Sequence, residues 1–231
     1  MIMIHLPRAY AIVDAAVFST TDDLAVFAGE LFAGGCTLLQ YRNKTGNARV
    51  MLEQARELRR RCRTEPAPSA SSGQALSLPK GVSDPPGLRL IMNDRADLCL
   101  IAEFDGVHVG QDDLLPESVR GIIGAGRWLG VSTHNPEQLA EADKTSADYL
   151  AIGPVFSTLS KDWPDPVVGL EGVRRARALT RKPLVAIGGV TRANAASVIE
   201  AGADSVAVIS ALLAEGESVE KVARDFLELL R

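Results

Sequence analysis

Short apolar runs alternate with longer amphipathic segments along the whole chain. The runs are RAYAIVD (8–14), TLLQYR (37–42), LRLIMN (88–93), DGVHVG (105–110), RWLGVS (127–132), DYLAIG (148–153), PLVAIG (183–188) and DSVAVIS (204–210). They are rich in leucine and β-branched residues and lack a clean polar alternation. Strands buried on both faces of a parallel sheet have this character. Between them, LAVFAGELFA, ARVMLEQARELRRRC, PEQLAEA, GLEGVRRARAL, RANAASVIEAG and SVEKVARDFLELL carry apolar residues at helical spacing. Eight β–α units in 231 residues predict an α/β protein, a closed (β/α)8 TIM barrel forming a single domain over residues 1–231. A doubly wound open sheet is the alternative. An acid opens the fourth, sixth and eighth strands alike, at Asp105, Asp148 and Asp204. Recurrence at every second strand suits a barrel whose interior layers come from alternate strands.

Two segments break the rhythm. TEPAPSASSGQALSLPKGVSDPPG, residues 64–87, is rich in Pro, Ser and Gly and reads as a flexible insertion. It joins the second helix to the third strand and so leaves from the N-terminal face. Chemistry in this architecture occurs at the opposite face, so the insertion is expected to be irrelevant to catalysis. The second is GPVFSTLSKDWPDPVVGLEGV from Gly153, where helical patterning resumes only near Gly169. Connections of this kind usually run to about 2–6 residues, and longer ones tend to be lids or binding loops.

Composition narrows the partners. With 46% apolar residues the chain can build a core without disulfides or structural metal. A net charge of −4 lacks the dominant basic face of a duplex-binding protein, which leaves room only for a local basic cluster facing a small anion. Cys36, Cys62 and Cys99 are far apart, odd in number and form no C-x-x-C pair, so they read as reduced, partly buried thiols of a cytoplasmic protein. MIMIHLPRAYAIVD runs straight into a strand, so no signal peptide is expected. No apolar stretch approaches the ~18 residues of a membrane span.

In a barrel the strand ends converge, so their residues form one list. QYRNK places Gln40, Arg42 and Lys44 on one side of an extended chain, alternating with Tyr41 and Asn43. Two neighbouring cations read either as a solvated basic rim or as a phosphate clamp, with Arg bidentate and Lys a mobile point charge. The third strand ends in Asn93–Asp94, where the chain turns, and Asp112 and Asp113 follow the fourth. Each acid alone is equally a turn residue or a ligand. Together, Asp94 and Asp113 offer hard oxygen donors with no Cys or His pair nearby, which favours Mg2+ over Zn2+. Beside the basic clamp, such a metal points to a diphosphate. GVSTH adds Ser132 and His134. Both His134 and His108 read as hydrogen-bonding wall residues. Gly188 and Gly189 allow close backbone approach to a ligand, Thr191 is a candidate helix cap, and Ile209–Ser210 closes the last strand. The loops after strands seven and eight are the usual phosphate site of this fold.

QYRNK, MNDRADL, DGVHVGQDDL, LGVSTH, GPVFSTLSK, VAIGGVTRAN and GADSVAVIS together resemble the thiamine phosphate synthase family, in order and spacing, over nearly the whole chain apart from 64–87. That resemblance implies a transferase that joins 4-amino-5-hydroxymethyl-2-methylpyrimidine diphosphate to 4-methyl-5-(2-hydroxyethyl)thiazole phosphate and releases pyrophosphate, with Mg2+ as cofactor. By motif it assigns Gln40, Tyr41, Arg42, Asn43, Lys44, Asn93, Ser132 and Lys161 to the pyrimidine diphosphate. It assigns Asp94 and Asp113 to the metal, and Thr158, Leu159, Ser160, Gly189, Ile209 and Ser210 to the thiazole phosphate. Arg42, Lys44 and Lys161 are the implied catalytic cations of a dissociative reaction, and the segment from Gly153 is the implied lid. Ser160 stands where the family more often has Thr, and Trp163 receives no role. The implied partners are small phosphorylated molecules, not nucleic acid or membrane, and a homo-oligomer is compatible. The rival readings are a paralogue that isomerises a thiazole carboxylate phosphate and a non-catalytic thiazole phosphate sensor.

Overall fold

The computed structural model describes residues 4–44, 47–64, 87–158 and 166–231. Eight parallel strands close on themselves in chain order. They are β1 (Ala9–Asp14), β2 (Leu38–Arg42), β3 (Arg89–Asn93), β4 (Gly106–Val109), β5 (Trp128–Thr133), β6 (Tyr149–Ile152), β7 (Leu184–Ile187) and β8 (Ser205–Val208). Helices α1 (Thr21–Ala33), α2 (Ala48–Thr64), α3 (Ala96–Ile101), α4 (Pro116–Ile123), α5 (Pro136–Asp143), α6 (Gly169–Leu179), α7 (Ala195–Glu200) and α8 (Val219–Leu229) alternate with them. The circle closes between β1 and β8, where Ala9 pairs with Val206 and Ala11 with Val208. The expected barrel is therefore present, and the open-sheet alternative is not.

The absence of polar alternation in the strands has a direct cause, because both faces are covered. Val13, Leu39, Met92, Val107 and Leu150 belong to the core between the barrel and its helices. Tyr10, Ile12, Leu38, Ile91, Tyr149, Ala151, Val185 and Ala207 form a second, smaller core inside the barrel. Helix starts are fixed locally. Thr20 accepts from the Asp23 N–H at 3.1 Å ahead of α1, and Asn135 accepts from the Gln138 N–H at 2.8 Å ahead of α5. Thr191 has no such role before α7, which begins only at Ala195 with Asn194 as its N-cap position.

The three recurrent acids hold the N-terminal rim. Asp105, Asp148 and Asp204 each accept, at 2.8 Å, the N–H of a residue on the neighbouring strand: Leu90, Leu129 and Leu184 respectively. Each also pairs with an arginine, Arg89, Arg120 or Arg177. One carboxylate thus satisfies an edge N–H that the parallel ladder leaves over.

Helix α2 ends at Thr64 and β3 begins at Arg89, so the Pro/Ser/Gly-rich connection leaves and returns at this same N-terminal side. Residues 65–86 of that insertion, and 159–165 of the expected lid, lie outside the described residues. Among the described residues no helix is long and apolar enough to cross a membrane. The three cysteines are buried, and burial pushes the Cys36 and Cys99 thiols up to about 12, away from reactive thiolate.

Candidate active site

A cavity of about 450 Å³ opens at the C-terminal ends of the strands. Residues from separate segments share its wall: Gln40 and Arg42 on β2 and Lys44 just beyond it, Asn93 at the end of β3 and Asp94 beyond it, Asp112 and Asp113 after β4, and Ser132 near the end of β5. Thr158 and Ile209 line the same cavity from the loops after β6 and β8. The period of two along QYRNK explains the division of its side chains. Gln40, Arg42 and Lys44 face the cavity. The Tyr41 hydroxyl instead donates to Gln54 Oε1 at 2.6 Å, and the Asn43 amide donates to the same oxygen at 2.8 Å. Those two side chains fasten β2 to α2 and do not line the cavity.

The charged groups form two pairs and a carboxylate contact. Lys44 Nζ lies 2.5 Å from Asp94 Oδ2. Arg42 pairs with Asp14, an acid that the sequence reading missed. Asp14 is buried at the end of β1, and its second oxygen accepts the Ala16 N–H at 3.1 Å. Asp94 sits at φ 61°, in the left-handed region that non-glycine residues rarely adopt. Its N–H donates to the His108 carbonyl at 2.8 Å, which fixes the turn. Burial raises the Asp94 pKa above the ordinary carboxylate value; a hydrogen bond with Asp113 pushes the same way and Lys44 opposes both. Asp113 is held from below, accepting the Gly110 N–H at 2.7 Å. Two carboxyls in hydrogen-bonding reach, one resisting ionisation, form a place that favours a proton or a cation. No third His, Cys, Asp or Glu joins a metal-sized group among the described residues.

Asn93 provides a different signal. Its side chain is only 7% exposed, and its amide nitrogen is buried without a hydrogen-bond partner. A buried amide donor left this way costs about 1–3 kcal/mol, so its position in the cavity wall marks it for a ligand acceptor.

Below these groups lies a polar chain absent from the sequence reading. Gln40 donates to the Tyr10 hydroxyl at 2.7 Å, and Tyr10 meets the Tyr149 hydroxyl at 2.9 Å. Tyr149 reaches His108 Nδ1 at 3.1 Å, and His108 Nε2 reaches Ser132 Oγ at 2.7 Å. Tyrosines inside apolar runs resemble core, and nothing in RAYAIVD or DYLAIG sets Tyr10 and Tyr149 apart from it. His134 acts as the expected wall residue, its Nδ1 2.7 Å from the Gly153 carbonyl oxygen.

The glycine pair after β7 is required by a close approach between two loops. Gly188 and Gly189 have φ of 100° and 64°. A Cβ on Gly188 would stand 2.6 Å from Pro154 Cα, and one on Gly189 would stand 2.5 Å from the Ser157 carbonyl oxygen. The pair lets the loop after β6 pack directly on the loop after β7. Gly188 also lines the cavity, whereas Gly189 and Ser210 do not. Ser210 is exposed and opens a short 3-10 turn, Ser210–Leu212. Leu159, Ser160 and Lys161 lie outside the described residues.

Comparison with known proteins identifies the family. The thiamine monophosphate synthase family profile matches residues 77–212. The chain is 54% identical over 230 residues to the thiamine-phosphate synthase of Koribacter versatilis, covering 98% of this chain and 97% of that one. It is 39% identical to the thiamine-phosphate synthase of Chloroflexus aurantiacus, covering 96% of this chain and 92% of the relative. A solved structure, thiamine phosphate pyrophosphorylase from Pyrococcus furiosus, superimposes with a TM-score of 0.77 at 28% identity over 97% of this chain and 96% of that one. The chain therefore belongs to the thiamine monophosphate synthase family of transferases.

Proposed function

We propose that the chain couples 4-amino-5-hydroxymethyl-2-methylpyrimidine diphosphate with 4-methyl-5-(2-hydroxyethyl)thiazole phosphate, giving thiamine phosphate and pyrophosphate with Mg2+ as cofactor. The observation that carries this reading is the convergence of Arg42, Lys44, Asn93, Asp94 and Asp113 on one cavity. Asp94 and Asp113 fit a magnesium ion: they are paired hard-oxygen donors, and phosphate oxygens and water complete such a shell. Bound there, magnesium supplies charge neutralisation at a departing diphosphate.

The chain's own groups do the rest. Arg42, oriented by Asp14, presents its remaining N–H donors to phosphate oxygens. Lys44 has a long stem and an exposed head, so it can turn from Asp94 to the diphosphate. Asn93 gains the acceptor it lacks. When the carbon–oxygen bond breaks, its electron pair leaves with the pyrophosphate, and the aminopyrimidine ring spreads the positive charge left on carbon. The thiazole nitrogen then donates its lone pair to that carbon. Acid–base catalysis has little part in such a step. Preorganised positive charge, alignment of two substrates and exclusion of water have a large one. We assign the thiazole phosphate to Thr158, Leu159, Ser160, Gly189, Ile209 and Ser210, and the closing cation to Lys161 on the loop after β6. Thr158 and Ile209 support this by lining the same cavity as the diphosphate groups. Small phosphorylated molecules are the partners, and the cytoplasm, which keeps thiols reduced, is the compartment.

The test supplies both substrates with magnesium and follows thiamine phosphate and pyrophosphate. Both products form, chelator abolishes them, and Lys161→Ala lowers the rate by at least ~100-fold, the usual cost of one preorganised donor. Absence of product in the complete mixture would refute the coupling. Undiminished turnover in chelator would remove the metal, and an unimpaired Lys161→Ala would remove the lid cation.

A further inference from the structure

The chain Gln40–Tyr10–Tyr149–His108–Ser132 crosses the barrel interior from β2 through β1, β6 and β4 to β5. Its direction follows from donor chemistry. The Gln40 amide nitrogen only donates, so the Tyr10 oxygen accepts from it and turns its own hydrogen to Tyr149. Tyr149, accepting from Tyr10, donates to His108 Nδ1. A neutral imidazole that accepts at Nδ1 carries its proton on Nε2, which donates to Ser132 Oγ. The Ser132 hydroxyl hydrogen is then left for the cavity, into which Ser132 opens. At the other end, Gln40 Oε1 is an acceptor with no protein partner among the described residues, on a side chain that lines the same cavity.

We propose that Tyr10 and Tyr149 are positioning residues that pass one hydrogen-bond direction from Gln40 to His108, fixing the Nε2–H tautomer and committing Ser132 as a donor to the bound pyrimidine. The relay thereby offers an aminopyrimidine an acceptor at Gln40, for its amino group, and a donor at Ser132, for a ring nitrogen. This rests on the coupling reading above.

The surroundings support a fixed direction. Tyr10 and Tyr149 are 1% and 0% exposed, so water cannot substitute for a missing partner. The two rings meet edge to face with centroids 6.1 Å apart. Gly130 leaves the room they need, since a Cβ there would stand 2.1 Å from Tyr149 Cζ and 2.4 Å from His108 Nδ1. His108 is buried with both ring nitrogens engaged, Nδ1 with Tyr149 and Nε2 with Ser132.

Long-range 1H–15N NMR of the 15N-labelled full chain reads the tautomer directly, with His108→Gln used only to assign the signal among the three histidines. The expected spectrum shows His108 protonated at Nε2 and accepting at Nδ1. In Tyr149→Phe that exclusive pattern is lost. With it, kcat/KM for the pyrimidine diphosphate falls roughly tenfold or more, while KM for the thiazole phosphate is unchanged. Tyr10→Phe moves both readouts in the same direction. A wild-type signal protonated at Nδ1 would overturn the relay, even if neither variant folds. So would wild-type pyrimidine kinetics in Tyr149→Phe, or an equal loss toward both substrates, which marks general loosening. A wild-type chain that makes no thiamine phosphate refutes the coupling instead, and the tautomer still decides the direction of the relay.

Discussion

Asp94 concentrates several unusual properties in one side chain: a left-handed backbone, a raised pKa, a lysine partner and a neighbouring carboxyl. Its substitution should therefore affect chemistry far more than folding. Asp94→Asn or Asp113→Asn keeps the shape but removes a hard anionic donor, and kcat/KM should fall at least ~100-fold, partly restored by higher magnesium. Steady-state kinetics against magnesium concentration check this. A loss below tenfold that magnesium does not alter would count against the metal role. His108 gives a pH prediction. Its pKa is about 4 in the folded chain against 6.5 for an unperturbed imidazole. Between these values the unfolded chain binds more protons, so stability is fully present above 6.5 and declines as pH falls toward 4, by on the order of 3 kcal/mol in all. Urea unfolding at about pH 7.5 and about pH 5 should show a larger drop in the wild type than in His108→Gln; parallel drops would contradict it. Arg42, Lys44, Asp94 and Asp113 were legible because charged residues at strand ends have one place to go in a barrel. Asp14 was not, since its partner Arg42 lies 28 residues away and a lone acid after a strand looks like a turn residue.

Strand β5 shows how an element serves the site through a missing side chain. At Gly130 the sequence LGVS offers an ordinary glycine, and only the packed barrel reveals Tyr149 and His108 filling its place. Gly130→Ala must displace both rings and should cost about 1–3 kcal/mol in overpacking, together with an impaired pyrimidine KM. Unchanged stability and kinetics would mean that the interior is looser than the geometry indicates. The acids at the strand starts behave in the opposite way, because their pattern was visible without coordinates. Asp105, Asp148 and Asp204 recur at alternate strands because the same N–H of the neighbouring strand needs an acceptor each time. Asp204→Ala should lower stability by about 1–2 kcal/mol and leave kcat unchanged, since Asp204 lies at the rim opposite the cavity. A fall in kcat without a fall in stability would reverse that assignment. The glycine pair after β7 was legible as special backbone, while its close approach to the loop after β6 was not, because that loop's position depends on tertiary packing.

At the scale of the molecule, the barrel separates stability from chemistry by face. The sequence conveyed this through eight apolar runs, since burial on both sides leaves no other pattern, and the strand bounds differ from the runs by only a residue or two. The interior relay was hidden because its members are spread over five strands and look like core. Replacing the Pro/Ser/Gly-rich connection between α2 and β3 with a short Gly/Ser linker should leave kcat unchanged, because that connection leaves and returns at the face away from the cavity. A large loss of kcat in a stably folded linker variant would contradict the separation. The central claim is that two carboxylates and two cations from separate segments share one diphosphate. A crystal structure of the chain with magnesium and pyrophosphate tests it most directly. The expected result is a metal between Asp94 and Asp113, with phosphate oxygens on it and on Arg42 and Lys44. Pyrophosphate bound elsewhere, or at this cavity with the Asp94–Lys44 pair intact and no metal, would contradict the account.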